Sequence, residues 1–210
     1  MNRSSHKLVL GTGNRKKGEE LRVLLEPHGF ELYTLADFPH ALDVVEDGDT
    51  FAANAGLKAT QQAVHLKHWV LGEDSGLVVD ALGGRPGIYS ARYAGEQATD
   101  DSNNQLLLDE LGDTDLDRRT AHYVCHITLA DPEGRVRAEC ESCCRGRIRF
   151  VPAGSGGFGY DPLFELVEYH HTFGQLDPIV KEVLSHRARA LRQLVPELLR
   201  LVGQGDWRAT

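Results

Sequence analysis

Short apolar runs alternate with stretches of helical spacing along most of the chain. Leu8-Val9-Leu10 predicts a buried strand over Lys7–Leu10, which Gly11-Thr12-Gly13-Asn14 breaks. Leu21, Leu24 and Leu25 then give the apolar face of a helix from about Arg15 to Glu26, ended by Pro27-His28-Gly29. Phe30–Leu35 reads as a second strand, and an acidic loop from Asp37 to Asp49 follows. Phe51, Ala55, Ala59 and Ala63 predict a helix to about Leu66, capped by Asp49 or Thr50, with a small-residue face suited to lying close to a sheet. Asn54 and Lys58 share one side of it. Trp69–Glu73 is the expected central strand, with Leu77-Val78-Val79 after it. A helix over Asp100–Leu111 has Thr99 as its cap. Tyr123–Ala130 and Val136–Cys144 are strands joined by the hairpin turn Asp131-Pro132-Glu133-Gly134, which suggests a second, antiparallel lobe. The last helix begins after Ser185 and carries Leu191, Leu194, Val195, Leu198 and Leu199; Pro196 should kink or split it.

Three stretches break local rules, which is where function is expected. Arg15, Lys16 and Lys17 place cations at a helix N-terminus, where backbone N–H groups already make the potential positive; a bound phosphate would offset them. Neither the P-loop nor the dinucleotide fingerprint fits this turn, so a solvated basic turn beside Glu19 and Glu20 stands as the alternative. Glu73-Asp74-Ser75-Gly76 puts two acids after an apolar strand, where α/β proteins form ligand crevices and a hard cation finds oxygen ligands, or it is a plain turn. Gly154-Ser155-Gly156-Gly157-Phe158-Gly159-Tyr160-Asp161-Pro162 lets backbone approach a ligand and offers aromatic faces for a base, or it is a flexible turn with an aromatic anchor.

The chain has 210 residues, 41% hydrophobic, with a net charge of −8, the balance of an ordinary globular protein. That charge argues against nucleic acid, and a polyanion could bind only where cations gather. Lys16, Lys17, Lys181, His186 and Arg187 are candidates to gather so. No apolar run is long enough for a membrane span or a signal-peptide core. Cys140, Cys143 and Cys144 are crowded together and suit reduced thiols in the cytoplasm. The Cys140–Cys143 spacing raises zinc, with Cys125, His122 and His126 as possible further ligands, against a strand carrying small buried thiols.

Five blocks taken in order resemble the inosine triphosphatase, or Ham1-like, family of pyrophosphatases acting on non-standard purine nucleoside triphosphates. They are Thr12-Gly13-Asn14 with Lys17; Thr50-Phe51 with Asn54-Ala55 and Lys58-Ala59; Asp74-Ser75-Gly76-Leu77 through Pro86-Gly87-Ile88-Tyr89-Ser90-Ala91-Arg92-Tyr93-Ala94-Gly95; Gly156–Pro162; and Ser185-His186-Arg187 with Ala190-Leu191. The resemblance spans roughly residues 7 to 200.

It implies an α/β fold of two lobes around a long mixed β-sheet flanked by helices. The whole chain would be one catalytic domain with its cleft between the lobes, usually a homodimer. It implies Mg²⁺-dependent hydrolysis of ITP, dITP and XTP to the monophosphate and pyrophosphate. Thr12, Gly13, Asn14, Arg15, Lys16 and Lys17 would hold phosphates, Ser75 would contact substrate, and Phe158, Gly159, Tyr160, Asp161, Lys181, His186 and Arg187 would frame the base. Asp74 would be general base and metal ligand, with Glu46 the expected second ligand and Asp43 and Asp47 its competitors. Other readings are a related pyrophosphatase for modified pyrimidine nucleotides and a nucleotide sensor that does not hydrolyse. The chain departs from the family pattern at Ala53, where Glu is frequent, at Glu73, where Asp is frequent, and at Pro178 upstream of Lys181.

Overall fold

A computed structural model describes residues 6–207. Its strands form one seven-stranded sheet in the order β2-β1-β3-β4-β5-β6-β7, where β1 is His6–Gly11, β2 Phe30–Thr34, β3 Val70–Val79, β4 Thr120–Ala130, β5 Val136–Ile148, β6 Phe164–Leu166 and β7 His171–Thr172. β1 runs parallel to β2 and β3, while β6 runs antiparallel to β5 and β7, so the sheet is mixed as expected. The helices are α1 (Arg15–Leu25), α2 (Phe51–Leu66), α3 (Asp100–Leu111), α4 (Pro178–Leu184) and α5 (His186–Gly203).

The chain divides into two compact units. The first takes in the described residues up to Asp74, then Cys125–Ser142 and the chain from Arg187 onward; the second is Ser75–Val124 and Cys143–His186.

In the first unit the alternation of side chains along each strand sorts the core into two faces. Leu8, Leu10 and Leu71 join Leu21 and Leu25 of α1 and Leu191, Leu194, Leu198 and Leu201 of α5. Val9 and Val70 join Ala59, Ala63 and Leu66 of α2 on the other side. The small-residue face of α2 works as its spacing predicts. A Cβ on Gly72 would lie 2.6 Å from the Ala59 nitrogen, so only glycine lets the helix settle this close to β3.

In the second unit Leu77, Val79, Leu107, Leu111, Tyr123, Tyr160, Phe164 and Phe173 belong to one core cluster.

Two expectations are corrected, and one segment gains a structure of its own. Glu73-Asp74-Ser75-Gly76 is neither a turn nor a strand end: β3 runs unbroken for ten residues from Val70 to Val79. β1 stops opposite Gly72, so Asp74 lies beyond the parallel ladder. Pro196 does not split the last helix, because apolar residues on both sides of it, Leu194 and Leu198, stay buried in one core. The segment before Lys181 is a helix of its own: Asp177 caps it by accepting from the Ile179 N–H at 3.0 Å, and Pro178 sits in the first turn, where its fixed φ suits a helix. Among the described residues no helix is long and apolar enough to cross a membrane.

Candidate active site

The adjacent acids Glu73 and Asp74 point to opposite faces of β3, and each meets its own cations. Both are buried, Glu73 completely.

Asp74 shares a face with Gly72 and therefore looks at α2. The close approach at Gly72 brings two α2 side chains to it. Lys58 Nζ lies 3.1 Å from Asp74 Oδ1, and Asn54 Nδ2 donates to Asp74 Oδ2 at 3.4 Å. The same ammonium bonds Glu46 Oε2 at 2.7 Å. Glu46 comes from the irregular acidic loop, which is held to α2 by two side chains. The Gly48 N–H donates to Asn54 Oδ1 at 2.9 Å, and Gln62 Nε2 donates to the Leu42 carbonyl at 2.6 Å. Of the three loop acids proposed from the sequence, Glu46 is the one bonded to Lys58. Ala53, where a carboxylate would be frequent, stands where a Cβ on Gly48 would come within 2.6 Å of its methyl group.

Burial raises the Asp74 carboxyl above the usual range, opposed by Lys58 and Lys17 and reinforced by Glu73. Burial alone would depress Lys58, but Asp74 and Glu46 reverse this and raise it. Two carboxylates thus converge on one cationic centre. That donor set suits a hard divalent cation which takes two protein oxygens and completes its shell with water and phosphate. Among the described residues no group of three or more His, Cys, Asp or Glu side chains is arranged to hold a metal.

Glu73 faces α1 and α5. Its Oε2 lies 3.2 Å from Lys17 Nζ and its Oε1 accepts from Arg187 Nη2 at 2.9 Å. Arg187 also pairs with Glu20, and Cys125 Sγ lies 3.4 Å from Glu73 Oε1. Burial would lower the Arg187 guanidinium, but Glu73 and Glu20 hold it firmly protonated. Burial and the Glu73 charge push the Cys125 thiol well up.

The glycine turn caps α1. Asn14 Oδ1 accepts from the Lys17 N–H at 3.2 Å, and Thr12 Oγ1 accepts from the Asn14 N–H at 3.2 Å. Gly13, Asn14, Arg15 and Lys16 are exposed, and no acid occupies the first turn. The three cations there differ: Arg15 pairs with Glu19 at the surface, whereas Lys17 turns inward to Glu73.

The second unit gathers most of the residues expected at the base. Lys181 Nζ donates to Asp161 Oδ2 at 2.6 Å and sits 4.3 Å from the centre of the Phe158 ring. The Phe158 N–H donates to Asp161 Oδ2 at 2.8 Å, and Tyr123 Oη donates to Asp161 Oδ1 at 3.3 Å. His186 stacks on Tyr123 with ring centres 4.7 Å apart. Gly159 is fixed at both ends, its N–H donating to Asp100 Oδ2 and its carbonyl accepting from Asn104 Nδ2, each at 2.9 Å. Tyr160 is buried, and its hydroxyl donates to the Ser90 carbonyl at 2.8 Å. Ser75 is partly buried on β3. Arg187 belongs to the first unit, where it pairs with Glu73. The spacing of Asn54 and Lys58 on a small-residue helix is the one sequence signal for the part they play beside Asp74.

The Ham1 family model matches residues 8–197. A dITP/XTP pyrophosphatase of Rhodopirellula baltica is 58% identical over 195 residues, covering 93% of this chain and 94% of that one. A dITP/XTP pyrophosphatase of Geobacillus kaustophilus is 47% identical over 196 residues, covering 93% and 96%. Among solved structures, a HAM1 protein from Coxiella burnetii superposes with a TM-score of 0.83 at 36% identity, covering 92% of this chain and 98% of that one. The matched span takes in the strand and the two helices that carry Asp74, Lys58 and Lys17, and the chain belongs to the Ham1 family.

Proposed function

We propose that this chain hydrolyses non-standard purine nucleoside triphosphates, namely ITP, dITP and XTP, to the nucleoside monophosphate and pyrophosphate, using Mg²⁺. The observation that carries the reading is the convergence of Asp74 and Glu46 on one cation position, Lys58 Nζ, with the Lys17 charge also acting on Asp74. Asp74 and Glu46 would hold the metal, which when bound would screen the triphosphate and polarise its phosphoryl oxygens.

Asp74 takes a proton from the water that attacks the α-phosphorus. A carboxylate beside a cation is a weak base, so orienting that water carries more of the effect, and Asn54 and Lys58 fix the orientation of Asp74. Lys17, Lys58 and the backbone N–H groups of Gly13, Arg15 and Lys16 stabilise the negative charge that grows on the leaving pyrophosphate. In the second unit Lys181 offers a donor that suits the keto oxygen at position six of hypoxanthine or xanthine and opposes adenine's amino group. A buried donor left unpaired by the wrong base supports discrimination of several kcal/mol. Phe158 supplies a face for stacking. We further infer a cytoplasmic homodimer, the first part supported by the free thiols of Cys125 and Cys140.

The test is pyrophosphate release from a nucleotide panel, with Mg²⁺ and with EDTA. dITP and XTP should lead, and EDTA should abolish turnover. Faster release from dTTP or UTP derivatives would remove the purine assignment, and binding of dITP without any release would make the chain a sensor.

A further inference from the structure

Glu73 is fully buried, lies on the face of β3 away from Asp74, and is given no chemistry by the reaction above. Charged groups sealed in a core are seldom worth more to stability than apolar residues of the same volume. Yet two such groups, Glu73 and Arg187, meet here, with the partly exposed Lys17 and Glu20 as their further partners. As a set they are electrically neutral. Lys17 stands in the first turn of α1, where the helix dipole disfavours a cation. Its neighbour Arg15 reaches outward to Glu19 with its side chain 91% exposed, whereas the Lys17 side chain is 17% exposed and ends 3.2 Å from Glu73. Arg187 Nη2 in turn fixes the other Glu73 oxygen at 2.9 Å, so the carboxylate cannot swing.

We propose that Glu73 is a positioning residue for the phosphate end of the substrate: clamped by Arg187, it holds the Lys17 ammonium in place and cancels the charge that would otherwise expel it from a helix N-terminus. The proposal rests on the phosphate-binding reading of the α1 turn. It adds that Glu73 and Lys17 act as one unit, so that losing either loses the same interaction.

The test is a double-mutant cycle read by calorimetric binding of inorganic pyrophosphate with Mg²⁺, which does not require turnover. Lys17→Ala in the parent should weaken pyrophosphate binding by about tenfold or more, the weight of a charge-assisted contact. In Glu73→Gln, which keeps size and removes charge, binding should already be weakened, and adding Lys17→Ala should cost less than about threefold further. Glu73→Asp, which keeps the charge, should restore part of the loss. With dITP as substrate, Glu73→Gln should lower kcat more than it changes the melting temperature predicts. Equal effects of Lys17→Ala in both backgrounds would overturn the proposal. So would recovery of Glu73→Gln and Glu73→Asp only as unfolded protein, since Glu73 would then be a core residue. Parent protein that binds pyrophosphate but releases none from dITP would sink the hydrolase reading and leave this one standing.

Discussion

Replacing Lys58 with Met tests the link between the cation position and the fold. The side chain is close in volume, so the change is mainly of charge. Lys58 Nζ is 2.7 Å from Glu46 and 3.1 Å from Asp74, and its side chain is 11% exposed. Removing one partner of a buried pair costs about 3–5 kcal/mol, because the remaining charge stays desolvated. Glu46 is 37% exposed, so water screens its share, and the lower end, about 3 kcal/mol, is the working value. For a chain of this size that corresponds to a fall of about 6–12 °C in melting temperature. The measurement is thermal unfolding in EDTA and again in Mg²⁺. Lys58→Met should melt lower in EDTA and gain more from Mg²⁺ than the parent does, because the divalent cation then meets two carboxylates with no ammonium competing for them. The pH dependence has a definite sign. The folded-state pKa of Lys58 is raised, so its contribution is complete below about pH 10.4 and is lost as pH climbs through the folded value. Lys58→Met should lack that alkaline loss. A variant that melts with the parent in EDTA, or gains no more from Mg²⁺, would show that Asp74 and Glu46 do not share a cation position.

Asp74→Asn should reduce dITP turnover by about 10³-fold, within the span of general-base catalysis, while circular dichroism stays parental; unchanged kinetics would take Asp74 out of the chemistry. Gly72→Val should destabilise the chain by about 3 kcal/mol in denaturant titration, since even a Cβ would lie 2.9 Å from the Ala59 methyl. It should also depress activity, because α2 would carry Asn54 and Lys58 away from Asp74. Glu165, buried against Arg147 at 2.8 Å, is held below the usual glutamate range by that hydrogen bond despite burial, with Arg149 and His170 helping. The stability it contributes is present above about pH 4.3 and is lost as pH falls through its folded value, so Glu165→Gln should flatten part of the acid-side decline in melting temperature.

Local pattern was enough for the longer elements, because burial on one side imposes a period of its own. The helices over Asp100–Leu111 and from Arg15, and the hairpin of β4 and β5, were legible for that reason. The phosphate turn was legible too, since cations at a helix N-terminus contradict the dipole. The short elements were not. β6 has three residues, β7 two and α4 seven, too few for periodicity to show, although Asp177-Pro178 was a readable helix start. β3 was read as ending at Glu73 because Asp-Ser-Gly favours turns; in the fold its neighbours keep it extended to Val79.

The residue types at the site, and the alternation that sends Glu73 one way and Asp74 the other, belong to the chain alone, since a strand has only two faces. What stands on each face depends on contacts far apart in sequence. Glu73 meets Arg187 across 114 positions, and Asp74 meets Lys58 only because Gly72 admits α2. Glu46 is the loop acid that the family resemblance favours, but the bonds from Asn54 and Gln62 that hold its loop against α2 are encoded by no local pattern. Composition and spacing name the groups that can carry charge; which of them share a low-dielectric neighbourhood, and so neutralise or activate one another, is settled only when the sheet brings its helices together.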